Sequence, residues 1–227
     1  MAGVPQTLLP KCNNPSASNI TCIMKRIAVL ASGRGSNFQA ILDALARGEI
    51  HGTCVALITD NKDAYAISRA AQANVPSVVI NFRDYPTKAA YEADLLAAMK
   101  ETNADLFVCA GYMRIIGSAI IRAFAGKMIN IHPALLPAFT GLHGQRQALE
   151  YGVKIAGCTV HFVDEGLDSG PIIIQKAVPV FDDDDEDALD ARILEQEHIA
   201  FPEAVALFCD DRLVVSGRHV KILPERP

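Results

Sequence analysis

The sequence predicts an α/β fold: a mostly parallel, Rossmann-like sheet with helices on both faces, ending in an antiparallel hairpin and a long helix. Three observations lead there. From residue 25 to about 131, short apolar runs alternate with stretches of helical periodicity, the pattern of right-handed β-α-β crossovers. Turn and polar signals fall just after the first, fourth and fifth apolar runs, beyond the carboxyl ends of strands, where such sheets bind ligands. After residue 155 the alternation stops and two strand-like runs follow one another, as in a hairpin.

Each element has its own signal. Ile27–Ala31 is a short apolar run ended by glycines, a buried strand. Phe38, Ile41, Leu42 and Leu45 share one helical face before Gly48 stops the helix. Cys54–Ile58 is the next strand, Ala64–Ala73 an alanine-rich helix, and Ser77–Ile80 a third strand. A helix is expected over Pro86–Lys100, with the proline in its first turn, where a missing N–H costs little. Leu106–Ala110 and Met128–Ile131 are the fourth and fifth strands, and Arg146 opens an amphipathic helix. Cys158–Val163 and Ile172–Val178 form the hairpin, joined by a short loop. Residues 185–208 form the long helix, which Pro202 is expected to kink or break. Leu213–Val215 and Val220–Leu223 suggest a closing hairpin.

Composition narrows the function. At 227 residues, half of them hydrophobic, the chain is long enough for one domain with a large core. Residues 24–227 are expected to be that domain. Residues 1–23 hold three prolines and several Asn, Ser and Thr with no periodicity, the character of a disordered extension, and Met24 offers an alternative start. No apolar run approaches the roughly 18 residues that cross a bilayer, so no membrane partner is expected. The net charge of −5 argues against nucleic acid, which needs a basic surface. Six cysteines without a CxxC pair point to reduced thiols in a cytoplasmic protein and to no metal site.

Two groups of residues carry chemistry. In Ser32-Gly33-Arg34-Gly35-Ser36-Asn37, glycines allow a tight turn, and the N–H groups opening the next helix favour an anion. A phosphate cradle and a plain helix-capping turn both fit. A full dinucleotide fingerprint fails at Phe38, and Asp60 keeps a nucleotide only weakly in view. In Asn130-Ile131-His132-Pro133, the two polar side chains share one face of an extended chain. Asn130 can donate to an oxyanion, and His132 can move a proton near neutral pH. A structural strand-end histidine gives the same signal. Asp168, in a glycine-flanked turn, tips the balance: beside His132 it would stabilise the imidazolium and raise its pKa. Alone it would be an ordinary turn aspartate. His161 is able to reach the site from its strand but also suits a satisfied strand position. The acidic run Asp182–Asp187 suits a solvated helix start.

Taken with Ala110-Gly111-Tyr112-Met113-Arg114-Ile115 and the block Asn130–Pro137, these segments resemble the phosphoribosylglycinamide formyltransferase family over about residues 24–215. The resemblance implies the formyltransferase fold. It implies transfer of a formyl group from 10-formyltetrahydrofolate, without a metal, to the amine of glycinamide ribonucleotide in purine biosynthesis. It implies that Gly35, Ser36 and Asn37 hold the substrate's phosphate, with Glu197 near its ribose and glycinamide. Asn130 and His132 would hold the oxyanion, His132 as proton donor, with Asp168 raising its pKa and ordering a water. Met113, Arg114, Ile115, Ile116, Asn130, Val163 and Asp164 would line the pterin, largely through backbone groups, and Lys88 would face the donor's glutamate tail. A solvated lysine at a helix start fits Lys88 equally. The chain departs from the family at Ala138-Phe139-Thr140, where a basic residue and a proline are usual, and at Gly144-Gln145.

The alternatives are other 10-formyltetrahydrofolate-using transferases or hydrolases of this fold. A tRNA-directed transferase would need a C-terminal nucleic-acid-binding domain, and a hydrolase a longer N-terminal regulatory domain. A sugar-phosphate binding module would leave Asn130, His132 and Asp168 unexplained, and an NAD-linked oxidoreductase is weakened by Phe38. A monomer or homodimer is expected.

Overall fold

In the computed structural model, residues 24–225 are described, so the extension expected at residues 1–23 lies outside the described residues. Nine strands and six helices of at least six residues follow in order among the described residues. They are β1 (Lys25–Leu30), α1 (Ser36–Ala46), β2 (Gly52–Thr59), α2 (Ala66–Gln72), β3 (Ser77–Val79), α3 (Lys88–Glu101), β4 (Leu106–Cys109) and α4 (Ser118–Ala123). Then come β5 (Met128–His132), α5 (Gly144–Tyr151), β6 (Ile155–Phe162), β7 (Ile172–Pro179), α6 (Glu186–Cys209), β8 (Leu213–Ser216) and β9 (His219–Ile222).

Seven strands form one sheet in the order β3-β2-β1-β4-β5-β6-β7. The strands β1 to β5 pair in parallel, and β6 runs antiparallel to both β5 and β7. The two-residue period of β1 divides the core. Ile27 and Val29 face a cluster with Phe38, Ile41, Phe201 and Val205, and Ala28 and Leu30 face one with Leu95, Met99, Phe107 and Ile120. Helices therefore cover both faces, α1 and α6 on one and α3 and α4 on the other. The strand order reverses at β1, between β2 and β4. The loops leaving β1 and β4 meet there: Ser32 N–H donates to Gly111 O (3.1 Å), and Met113 N–H to Ser32 Oγ (2.9 Å). This is the switch point where such sheets hold ligands.

Several expectations change. The first helix begins at Ser36, two residues before Phe38, because Gly35 adopts φ 68° and lets the chain turn straight into helix. Pro86 precedes its helix instead of sitting in the first turn. Thr87 is the cap, its hydroxyl accepting from Ala90 N–H at 3.2 Å. Pro202 does not break α6, which runs continuously from Glu186 to Cys209. Phe201, Pro202, Ala204 and Val205 are all buried there, and packing against the sheet outweighs one missing N–H. The β6–β7 connection is not short: it spans 163–171 and carries Asp168. The acidic run opens α6 as expected, with Asp185 Oδ1 accepting from Ala188 N–H (2.8 Å) and Asp184 paired to Arg192 (2.7 Å). No helix among the described residues is long and apolar enough to cross a membrane.

Candidate active site

At the carboxyl end of β1, the loop 32–37 enters α1 through Gly35 in the left-handed region, φ 68°. A side chain there would put its Cβ 2.8 Å from Ala66 Cβ, so glycine is required by space as well as by conformation. Ser36 opens the helix. Asn37 is buried, and its amide donates to Glu197 Oε2 at 2.7 Å. The structure thus joins two expected substrate contacts, one from each end of the chain. Burial pushes the Glu197 carboxyl up to about 7, against the opposing effect of the Asn37 hydrogen bond.

The loop after β4 forms a second wall. Met113 and Ile115 are 63% and 75% exposed, while Ile116 and Val163 pack on the same core cluster. Arg114 is held by a buried acid. Its Nε donates to the buried Asp60 carboxylate at 2.7 Å, and its guanidinium lies 4.2 Å from the centre of the Phe82 ring. Asp60 therefore anchors the loop after β4.

The third wall holds the titratable groups. Asn130 and His132 lie in β5 with Ile131 between them turned into the core. His132 is 4% exposed. Its Nε2 faces the Phe139 carbonyl at 2.8 Å and must donate, since a carbonyl only accepts. Its Nδ1 faces Asp168 Oδ2 at 3.5 Å, so both ring nitrogens meet oxygen acceptors. Asp168 sits at φ 48° and also accepts Gly141 N–H at 2.8 Å. That bond ties the 163–171 loop to the 138–143 loop. Asp164 shapes the first of these by accepting from Ser169 Oγ (2.6 Å) and Gly166 N–H (3.1 Å). Gly170 lets it close onto β6, because a Cβ there would lie 1.8 Å from Phe162 O. Phe139 and His143 also adopt positive φ, 53° and 60°, a cost that surrounding contacts must offset.

Two residues deserve more weight than their sequence context suggested. His161 stands directly opposite Asn130 in the β5–β6 register. Its Nδ1 donates to Phe162 O (2.8 Å), leaving Nε2 to accept from Asn130 Nδ2 at 3.2 Å. That contact orients the Asn130 amide. His161 Nε2 also lies 3.9 Å from Asp168 Oδ1, and burial holds the His161 ring below the usual histidine range. Thr159, opposite His132, is fully buried. It donates to Ala134 O (2.7 Å) and accepts from Leu136 N–H (3.0 Å), fixing the chain as it leaves the histidine. Only the strand register reveals either role. Lys88 pairs with Glu92 at 3.3 Å on its own helix, and no described contact draws it into the crevice.

The arrangement combines a preset turn for an anion, an exposed apolar rim and an amide–imidazole–carboxylate group. That set suits transfer of an acyl unit to a phosphorylated nucleophile. Comparison with known proteins agrees in kind. The formyl transferase family matches residues 25–205. The chain is 47% identical over 195 residues to the trifunctional purine biosynthetic protein adenosine-3 of Drosophila melanogaster, covering 85% of this chain but only 14% of that protein. It is 43% identical over 187 residues to the phosphoribosylglycinamide formyltransferase of Escherichia coli, covering 82% of this chain and 88% of the relative. Among solved structures, glycinamide ribonucleotide transformylase 1 from Symbiobacterium toebii superposes with a TM-score of 0.86 at 49% identity, over 88% of this chain and 95% of that one. With most of its length aligned to whole enzymes of one kind, the chain belongs to the phosphoribosylglycinamide formyltransferase family.

Proposed function

We propose that this protein transfers a formyl group from 10-formyltetrahydrofolate to the amine of glycinamide ribonucleotide. The observation that carries the reading is the convergence of Asn130, His132 and Asp168, from two separate segments, at the same end of the sheet as the loop 32–37. The exposed Met113, Ile115, Leu142 and Leu167 suit a flat aromatic donor, and the backbone of 114–115 suits its polar edge.

In this reading Gly35, Ser36 and Asn37 hold the phosphate, and Glu197 meets the sugar or amide. The amine attacks the formyl carbon, forming one C–N bond. Asn130 and His132 stabilise the oxygen that gains charge, and His132 gives a proton to the donor nitrogen as its C–N bond breaks. Asp168 supports the charged ring, and the proton lost by the attacking amine returns to the site. An amine nucleophile makes an enzymic nucleophile unnecessary. Cys109 and Cys158 are buried, and burial pushes both thiols up to about 12.

The test mixes the protein with 10-formyltetrahydrofolate and glycinamide ribonucleotide and follows the absorbance of the deformylated folate. Ribonucleotide-dependent turnover is expected. Folate turnover that ignores the ribonucleotide would instead identify a hydrolase, and none at all would end the proposal.

A further inference from the structure

We infer that Asn61, Ala66 and Arg69 brace the loop 32–37 from behind and preset its N–H groups, with Arg69 a positioning residue for the phosphorylated substrate. The inference rests on the function proposed above.

Three successive carbonyls of the loop are held by one neighbouring segment. Ser32 O accepts from Asn61 Nδ2 at 3.1 Å, Gly33 O from Ala66 N–H at 3.1 Å, and Arg34 O from Arg69 Nε at 2.9 Å. In a trans peptide the carbonyl and the following N–H point in opposite directions. Pinning these carbonyls toward residues 61–69 therefore turns the N–H groups of Gly33, Arg34 and Gly35 the other way. Among the described residues, none of those three N–H groups donates to a backbone acceptor. Consecutive N–H groups aimed at one side make an anion-binding concavity, and here it continues into the first turn of α1.

Arg69 is suited to hold the loop and not to bind the phosphate itself. Its Nε is engaged by Arg34 O, its Nη1 donates to Gln39 Oε1 at 3.0 Å, and its guanidinium carbon stands 5.0 Å from the centre of the Tyr65 ring. Gln39 lies in the second turn of α1, so the fork ties loop and helix together. A lysine has a similar charge but only one point of attachment. Ala66 completes the brace by contact, its Cβ filling the space a side chain at Gly35 would need.

The experiment compares wild-type protein with Arg69→Lys and Asn61→Ala. It measures KM for each substrate and follows the amide signals of Gly33 and Gly35 during titration with inorganic phosphate and with the ribonucleotide. Removing one such hydrogen bond is expected to raise KM for the ribonucleotide roughly tenfold. KM for the formyl donor and kcat should stay within about twofold. Arg69→Lys tells position from charge: if it binds the ribonucleotide like wild type, Arg69 acts through its field and the brace is overturned. Wild-type amides that ignore both ligands would overturn the phosphate-loop assignment itself, whatever the variants do. If Arg69→Lys proves unstable, Asn61→Ala decides, since it removes one carbonyl's partner and leaves the guanidinium in place.

Discussion

The two ends of the crevice are held together by different means. At the end proposed to hold the phosphate, the loop 32–37 is one continuous segment whose backbone carbonyls receive the supporting bonds. At the end proposed for acyl transfer, side chains from β5, β6 and the 163–171 loop meet one another and the backbone of the 138–143 loop, and Phe139, His143 and Asp168 adopt positive φ. A site built of backbone tolerates most side-chain changes but not a lost glycine. A site built of side chains on strained loops tolerates almost none. The unusual residues Ala138–Thr140 fall at the second end, where Phe139 contributes only a carbonyl to His132. The Phe139 ring packs edge-on against Tyr151, centroids 5.8 Å apart, and so helps to hold the backbone path that aims this carbonyl.

The contrast can be broken most directly at Asp168. Asp168→Asn and His132→Ala should each lower kcat by about 10²–10³, the usual effect of removing one transition-state donor, with ribonucleotide binding retained by calorimetry. Near-normal turnover in either variant would remove that end from the chemistry. Gly35→Ala should act next most strongly, and in the opposite sense. It should raise KM for the ribonucleotide, and thermal melts should show a loss of about 1–3 kcal/mol from overpacking against Ala66. An unchanged KM would mean the loop is not preset.

Glu197 sharpens the comparison through pH. Its folded pKa of about 7 lies above its ordinary value of 4.5, so the folded state holds the proton more tightly. Its contribution to stability is then greatest below pH 4.5 and is lost as pH rises toward 7. Glu197→Gln should flatten melting temperature against pH in that window, a difference on the order of 1–3 kcal/mol. Identical profiles for the two proteins would mean the carboxyl is not desolvated. The smallest effect is expected at Asp60→Asn, which weakens the hold on Arg114. KM for the formyl donor should rise about three- to tenfold with KM for the ribonucleotide unchanged, a loss of about 1 kcal/mol. If both constants shift together, the Arg114 loop is not a donor wall.

Much of this was legible before any coordinates. Apolar runs such as Ile27–Ala31 and Leu106–Ala110 have the length and composition only a buried strand needs, and they became β1 and β4. Asn130, His132 and Asp168 stood out as candidates because an amide, an imidazole and a carboxylate suit acyl transfer and match the family resemblance. Pro86 and Pro202 misled for one reason. Local propensity is worth a few kcal/mol at most, while a threonine cap or a buried helix face supplies as much. The pairing of Arg114 with Asp60 was not legible, because nothing in its neighbourhood names a partner 54 residues away.

The sequence alone determined the order of elements and the two-sided core, and it singled out Asn130, His132 and Asp168 as candidates. These depend on periodicity and residue chemistry, which are local. Tertiary structure alone decided that β6 runs antiparallel beside β5, and that register sets His161 against Asn130 and Thr159 against His132. It alone paired Arg114 with Asp60 and set residues 61–69 behind the loop 32–37. Pairing across a sheet and packing between loops join residues far apart in the chain, and no short-range pattern encodes which distant partner will win.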